Sequence, residues 1–165
     1  MIGESELAVE VTIPCPLWER ACVDVAALAE IAARLALRRS HAPPASVVDV
    51  TLADDDSQQA LNLTWRGKNT PTNVLAFPAA DPAIPPPLGA PLLLGDVVLA
   101  YETVSREAVE QHKPLADHLR HLVIHGVLHL LGHDHVESAD VAAMEGLEIA
   151  ILAELGVPNP YRDIM

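Results

Sequence analysis

Residues 125–135 read His125-Gly126-Val127-Leu128-His129-Leu130-Leu131-Gly132-His133-Asp134-His135. They close an apolar helical stretch that begins at Pro114, a residue suited to a first helical turn because its missing N–H costs nothing there. The stretch runs to about Leu131 and stops at Gly132, since glycine accepts the positive φ of a sharp turn. His125 and His129 are four residues apart, so on a helix they share a face, with Cβ atoms about 5–6 Å apart. Two imidazoles so placed can share one ion. The turn at Gly132 can bring His135 back as a third ligand, and His133, two residues earlier, competes for that position. Three neutral imidazoles leave at least one coordination position open, the layout of a catalytic rather than a closed structural site. Zinc suits imidazole ligands, as do nickel, copper and iron. Asp134 is placed either to orient one imidazole or to stabilise the turn. His118 and His121 lie near the same stripe, where a lone histidine is more often a satisfied core or surface residue than a ligand.

Working outward, Leu7–Ile13 alternates in polarity and reads as a strand broken by Pro14 and Pro16. Leu17–Arg39 reads as one Ala-rich helix, with Arg34, Arg38 and Arg39 near its negative C-terminal end. Val47–Leu52 is short and β-branched, a strand. One of Asp54, Asp55 and Asp56 can cap a helix over Ser57–Trp65 by accepting from its open N–H groups. Arg66–Asn69 reads as a loop and Asn73–Phe77 as a strand closed by Pro78. Residues 81–91, DPAIPPPLGAP, form a Pro-rich exposed loop, either a gate over a cleft or an ordinary insertion. Leu92–Ala100 is the last strand, Glu102–Gln111 a helix, and Ser138 can cap a final helix that ends near Leu155. The pattern predicts one α+β domain spanning residues 1–165, with a roughly four-stranded mixed sheet, five or six helices and the metal site in a cleft.

Half of the 165 residues are hydrophobic, enough for a packed core, and the chain is too short to leave much room for a second domain. With two Trp, two Tyr and one Phe, that core must be mainly aliphatic. The formal charge of −13 argues against broad, nonspecific binding to a polyanion. Any RNA contact must be local, through a bound cation and a few basic residues. Cys15 and Cys22 form neither a C-x-x-C pair nor a disulfide framework and read as reduced, buried thiols. The first residues, MIGESELAVEV, lack the basic and apolar regions of a signal peptide, and the longest apolar stretch is interrupted by His125, Gly126 and His129. A cytoplasmic protein without a membrane partner is expected.

The spacing H-x3-H-x2-G-x2-H is shared by the metzincin proteases, which need a glutamate directly after the first histidine as general base. That position is Gly126, which cannot move a proton, so a metzincin-like protease is disfavoured. The segment instead resembles the H-G-x-L-H-L-x-G-Y-D-H signature of the YbeY endoribonuclease family, differing at the tyrosine, which is His133 here. Further landmarks occur in the family's order. Leu61–Lys68 (LNLTWRGK) resembles L-N-x-x-(aromatic)-R-x-K. Pro71–Pro78 (PTNVLAFP) resembles P-T-D-V-L-S-F-P, and Leu94–Val98 (LGDVV) resembles L-G-D-I-(apolar). Met144, Glu145 and Glu148 lie on a closing helix like the family's. The likeness covers about residues 47–155.

The resemblance implies a cytoplasmic, metal-dependent endoribonuclease specific for single-stranded RNA, acting in 16S rRNA 3′-end maturation and ribosome quality control. It implies His125, His129 and His135 as zinc ligands, and Arg66 as a functional basic residue. A guanidinium at Arg66 can offer two parallel donors to a phosphate, with Lys68 adding local positive charge. Asp96 either lines the cleft or makes a structural hydrogen bond. Asn73 and Ala76 depart from the family's Asp and Ser, which weakens any electrostatic support that the Asp gives. A noncatalytic alternative is an assembly factor with a structural metal, binding a ribosomal protein or an assembly GTPase, and the net charge suits a protein partner.

Overall fold

The computed structural model describes residues 6–79, 90–132 and 138–161, with backbone alone at 138 and 139. His133, Asp134, His135, most of the Pro-rich run and the side chain of Ser138 lie outside the described residues. In chain order the elements are β1 (Ala8–Thr12), α1 (Leu17–Ala21), α2 (Val25–Arg39), β2 (Ser46–Ala53), α3 (Asp55–Arg66), β3 (Val74–Pro78), β4 (Leu92–Ala100), α4 (Tyr101–Glu110), α5 (Leu115–Leu130) and α6 (Ser138–Glu154).

The strands form one mixed sheet in the order β1-β2-β4-β3. β1, β2 and β4 run parallel, with Val9 beside Val48 and Val50 beside Val97. Parallel neighbours need long crossovers, and α1 and α2 fill the first of them. β3 is antiparallel to β4 and forms one edge of the sheet, pairing Ala76 with Val97 and Phe77 with Asp96. This is the expected α+β class with a four-stranded mixed sheet, and the described residues include six helices.

α2 and α5 cover one face. α2 contributes the small buried residues Ala29, Ala32, Ala33 and Ala36 with Leu37, and α5 contributes Leu119, Leu122, Val123, Ile124, Val127 and Leu128. Alanine on the facing stripe lets the two helices approach closely over the Val48, Val50, Leu52 and Leu99 side chains, all fully buried. The opposite face is more open: Asp49 and Thr51 of β2 are half-buried, and Thr51 lines a cavity with Leu61 and Trp65 of α3. Both cysteines are free and buried, as expected.

Local chemistry sets the helix ends. Asp54 is the cap of α3, accepting from the Ser57 N–H at 2.8 Å. Gly67, at φ +71°, ends the helix in the left-handed conformation and lets the Lys68 N–H reach back to the Asn62 carbonyl. The sequence predicts one helix over Leu17–Arg39, whereas the structure has two, separated at Cys22–Asp24. The break follows from Trp18, which is fully buried and donates its indole N–H to the Ala53 carbonyl at 2.9 Å. Docking that ring against the end of β2 redirects the chain, and Asp24 takes up the turn at φ +57°, a conformation that aspartate tolerates.

Candidate active site

α5 lies unusually close to the sheet at Gly126. A Cβ there would stand 2.6 Å from Val97 Cγ1 and 3.1 Å from Cγ2. No side chain fits, so the absence of a glutamate at this position is also a packing requirement. The close approach brings His125 and His129 against β3. A cavity of about 150 Å³ lies between them, lined by Arg66, residues 73–76, His125, Gly126 and His129. The two imidazole rings are edge to face, with centroids 4.7 Å apart. The expected pairing across one helical turn is therefore present.

Arg66 enters from the end of α3. Its Nη2 donates to the Ala76 carbonyl at 2.7 Å, and the guanidinium carbon lies 5.4 Å from the centre of the Phe77 ring. An edge strand offers such unpaired carbonyls, and this one fixes an otherwise exposed arginine beside the histidines. Lys68 is exposed and is not among the described lining residues of this cavity. Asp96 lines a neighbouring, larger cavity that also includes Arg66. Its carboxylate makes no hydrogen bond with a described residue, contrary to a structural hydrogen-bonding role. Burial and the charge of Asp49 push it above the usual carboxylate range.

A carboxylate behind the histidines holds them in place. Glu148 of α6 is fully buried and accepts from His125 Nδ1 at 2.6 Å, from His121 Nε2 at 2.9 Å and from the Tyr161 hydroxyl. Burial alone would raise this carboxyl, but the three hydrogen bonds together prevail and hold it at about 2. The same burial and the Glu148 charge push the Tyr161 hydroxyl far upward, so it stays protonated as a donor. With Nδ1 of His125 committed to Glu148, Nε2 is the ring nitrogen whose lone pair can coordinate a cation.

The ligand atoms of His121, His125 and Glu148 lie within 4.8 Å of one another, a group that could hold a metal ion. The donor set therefore fits a cation in either of two ways: within that group, or at the Nε2 side of His125 with His129.

A second buried pair backs the other wall. His118 Nε2 lies 2.8 Å from Glu107 Oε1, and the Asn73 side-chain amide donates to the same oxygen at 3.1 Å. Burial lowers the His118 pKa against the opposing pull of Glu107, so the ring is neutral near pH 7 and serves as a donor. Asn73 Oδ1 accepts from the Val74 N–H at 2.7 Å. An aspartate at 73 would set a second negative charge against Glu107, so the asparagine suits this surrounding and leaves the wall intact.

His118 and His121 are thus partnered polar residues of the site's support; Glu107 and Tyr161 are side chains that the sequence did not single out, and Glu148 was named only as a landmark of the closing helix, without a role in the site. Glu148 did leave a signal. Met144, Glu148, Ile151 and Leu152 form one buried stripe of α6, and a carboxylate within an apolar stripe must find donors. His133, Asp134 and His135 lie outside the described residues.

Comparison with known proteins places these features in a family. The model of the family described as endoribonuclease YbeY matches residues 19–156. The endoribonuclease YbeY of Paramagnetospirillum magneticum is 49% identical over 160 residues, covering 94% of this chain and 96% of the relative. That of Magnetococcus marinus is 58% identical over 120 residues, covering 69% of this chain and 82% of the relative. In fold, the chain is similar to the solution structure of TM1509 from Thermotoga maritima, with a TM-score of 0.55 at 19% identity, covering 94% of this chain and 96% of that one. Neither a noncatalytic factor nor a protease is favoured by these relatives. A histidine pair braced by a buried carboxylate, faced across a cavity by an arginine, and a family model that spans most of the sequence lead to one assignment: the chain belongs to the endoribonuclease YbeY family.

Proposed function

We propose that this chain, as a single domain over residues 1–165, is a cytoplasmic metal-dependent endoribonuclease that cuts single-stranded RNA. It acts in 16S rRNA 3′-end maturation and ribosome quality control, where ribosomal proteins or an assembly GTPase are its further partners. The observation that carries this reading is the placement of His125 and His129 opposite Arg66 in one cavity. No described helix is long and apolar enough to cross a membrane.

His125, His129 and His135 are the proposed ligands of one zinc ion, with nickel or another transition metal an alternative occupant. Glu148 then orients His125 rather than coordinating, because its two oxygens are engaged by three donors. When bound there, such an ion supplies Lewis acidity toward a phosphate oxygen. Arg66 receives the phosphate. Ala76 uses one of the five N–H donors of the guanidinium, and the others can form a charge-assisted pair with phosphate oxygens. His133, Asp134 and Lys68 remain candidates for the rim.

The test is cleavage of a single-stranded RNA with zinc and with chelator, beside His129→Ala and Arg66→Glu. Activity is expected only for the metal-loaded wild type. Equal cutting in all four samples would mean a contaminating nuclease, and the proposal fails.

A further inference from the structure

The second cavity is larger than the first and shares a wall with it. It encloses about 720 Å³, within the span of roughly 300–1,000 Å³ usual for small-molecule pockets. Arg66 belongs to both cavities. Its bond to the Ala76 carbonyl and its position over Phe77 make it straddle the edge strand that divides them. A phosphate held at Arg66 in the first cavity therefore leaves an adjoining nucleotide within reach of the second.

The lining suits a base better than a backbone. The Trp65 indole stands at the rim, 70% exposed, a large apolar surface that no packing requirement explains. Such rings are stacking platforms for single strands. On the floor, Asp96 is the cross-strand neighbour of Phe77 on one side and of Asp49 on the other. Its carboxylate has no hydrogen bond or ion pair with a described residue, and it repels phosphate while accepting N–H donors. Among the bases, guanine presents two adjacent donors, N1–H and the N2 amino group, to match the two oxygens of a carboxylate. The molecular charge points the same way. At −13, the chain cannot rely on many phosphate contacts, so affinity for RNA must come largely from bases.

We propose that the cavity between Trp65 and Asp96 is a nucleobase subsite for a guanine next to the phosphate held by Arg66, with the ring stacked beside Trp65 and Asp96 accepting from N1–H and the N2 amino group. The subsite rests on the nuclease reading of the first cavity.

Binding to metal-free full-length protein in chelator, where nothing is cut, tests it. The probes are fluorescent hexauridine oligomers carrying one guanosine, inosine or adenosine at each position in turn, followed by anisotropy. At one position guanosine should bind about 10-fold tighter than adenosine, with inosine, which lacks the N2 amino group, between them. Asp96→Asn should remove this ranking and Asp96→Glu should retain it in part. Trp65→Ala should weaken the guanosine and adenosine oligomers alike.

Thermal unfolding checks that each variant is folded. The proposal is overturned by the absence of a guanosine ranking at every position, the result expected if the cavity instead takes a basic protein segment. It is equally overturned by a ranking that survives in Asp96→Asn. Cleavage of the same oligomers by metal-loaded protein separates the two readings. Metal-dependent cutting without a ranking sinks the subsite and leaves the nuclease standing. A ranking in binding without any cutting supports the subsite and sinks the nuclease.

Discussion

Glu148 has two oxygens and three donors around them, so Glu148→Gln would turn an NH₂ group toward a group that now donates to the carboxylate. His125 would lose the partner that fixes its tautomer and tilt. Metal affinity should fall by about 10–100-fold, the usual cost of removing such a support. Titration of metal-free protein with zinc against a chelating competitor measures this, and an unchanged affinity in a folded variant would refute the orienting role. Tyr161→Phe removes one of the three hydrogen bonds and should give a smaller loss in the same direction. Asn73→Asp replaces a donor to Glu107 by a like charge and should destabilise the fold by about 1–3 kcal/mol at neutral pH. Like-charge repulsion needs both groups ionised, so the destabilisation should fade in acid. Urea unfolding at pH 7 and pH 4 distinguishes this from a plain packing defect. His125 and His129 were legible because a four-residue spacing fixes their relation on any helix. The roles of the carboxylates that hold the α5 histidines were not, since Glu107 and Glu148 reach these rings from other helices through tertiary packing.

Gly126 governs how α5 meets the sheet. Gly126→Ala forces a Cβ into Val97 and should cost about 1–3 kcal/mol. It should also lower nuclease activity, by moving His125 and His129 away from β3. Because the clash has one partner, adding Val97→Ala should restore part of both, which thermal unfolding and a cleavage assay can follow. If the double variant merely adds the two losses, close approach is not the reason for the glycine.

At the start of α3, Asp54→Ala should cost about 1 kcal/mol by leaving the Ser57 N–H uncapped. That hydrogen bond holds the Asp54 carboxyl below its ordinary value. Its contribution is therefore present above about pH 3.9 and lost as pH falls through the folded value. The difference between wild type and variant should shrink in acid, and a gap that stays constant would argue for another cause. The Leu92–Ala100 strand was readable in full, and the helix expected over Ser57–Trp65 runs over Asp55–Arg66, one residue beyond its expected end and up to Gly67. The break after α1 was not readable, because it depends on Trp18 finding the Ala53 carbonyl far along the chain.

An acidic molecule that handles RNA must do so with few phosphate contacts. If two or three phosphates are engaged at about 0.7 counterions each, the logarithm of RNA affinity should fall with the logarithm of salt at a slope of roughly −1.4 to −2.1. Anisotropy across a salt series reads it, and a slope beyond about −4 would point to a basic surface that the described residues do not provide. The α+β class and the four-stranded mixed sheet followed from the pattern of periodic segments. The strand order did not, because nothing in β3 itself says that it lies outside β4, the strand that comes after it.

That order has a consequence for when the protein becomes dangerous to RNA. Arg66, the edge strand, the histidine pair and Glu148 enter from points spread over the latter part of the chain. β3 pairs with β4, a strand made after it, so it has no sheet partner until β4 exists. A chain still emerging from the ribosome therefore carries no assembled cutting centre, and a fragment severed anywhere between α3 and α6 carries none either. Synthesis must finish before the molecule can harm the transcript or the ribosome that is making it.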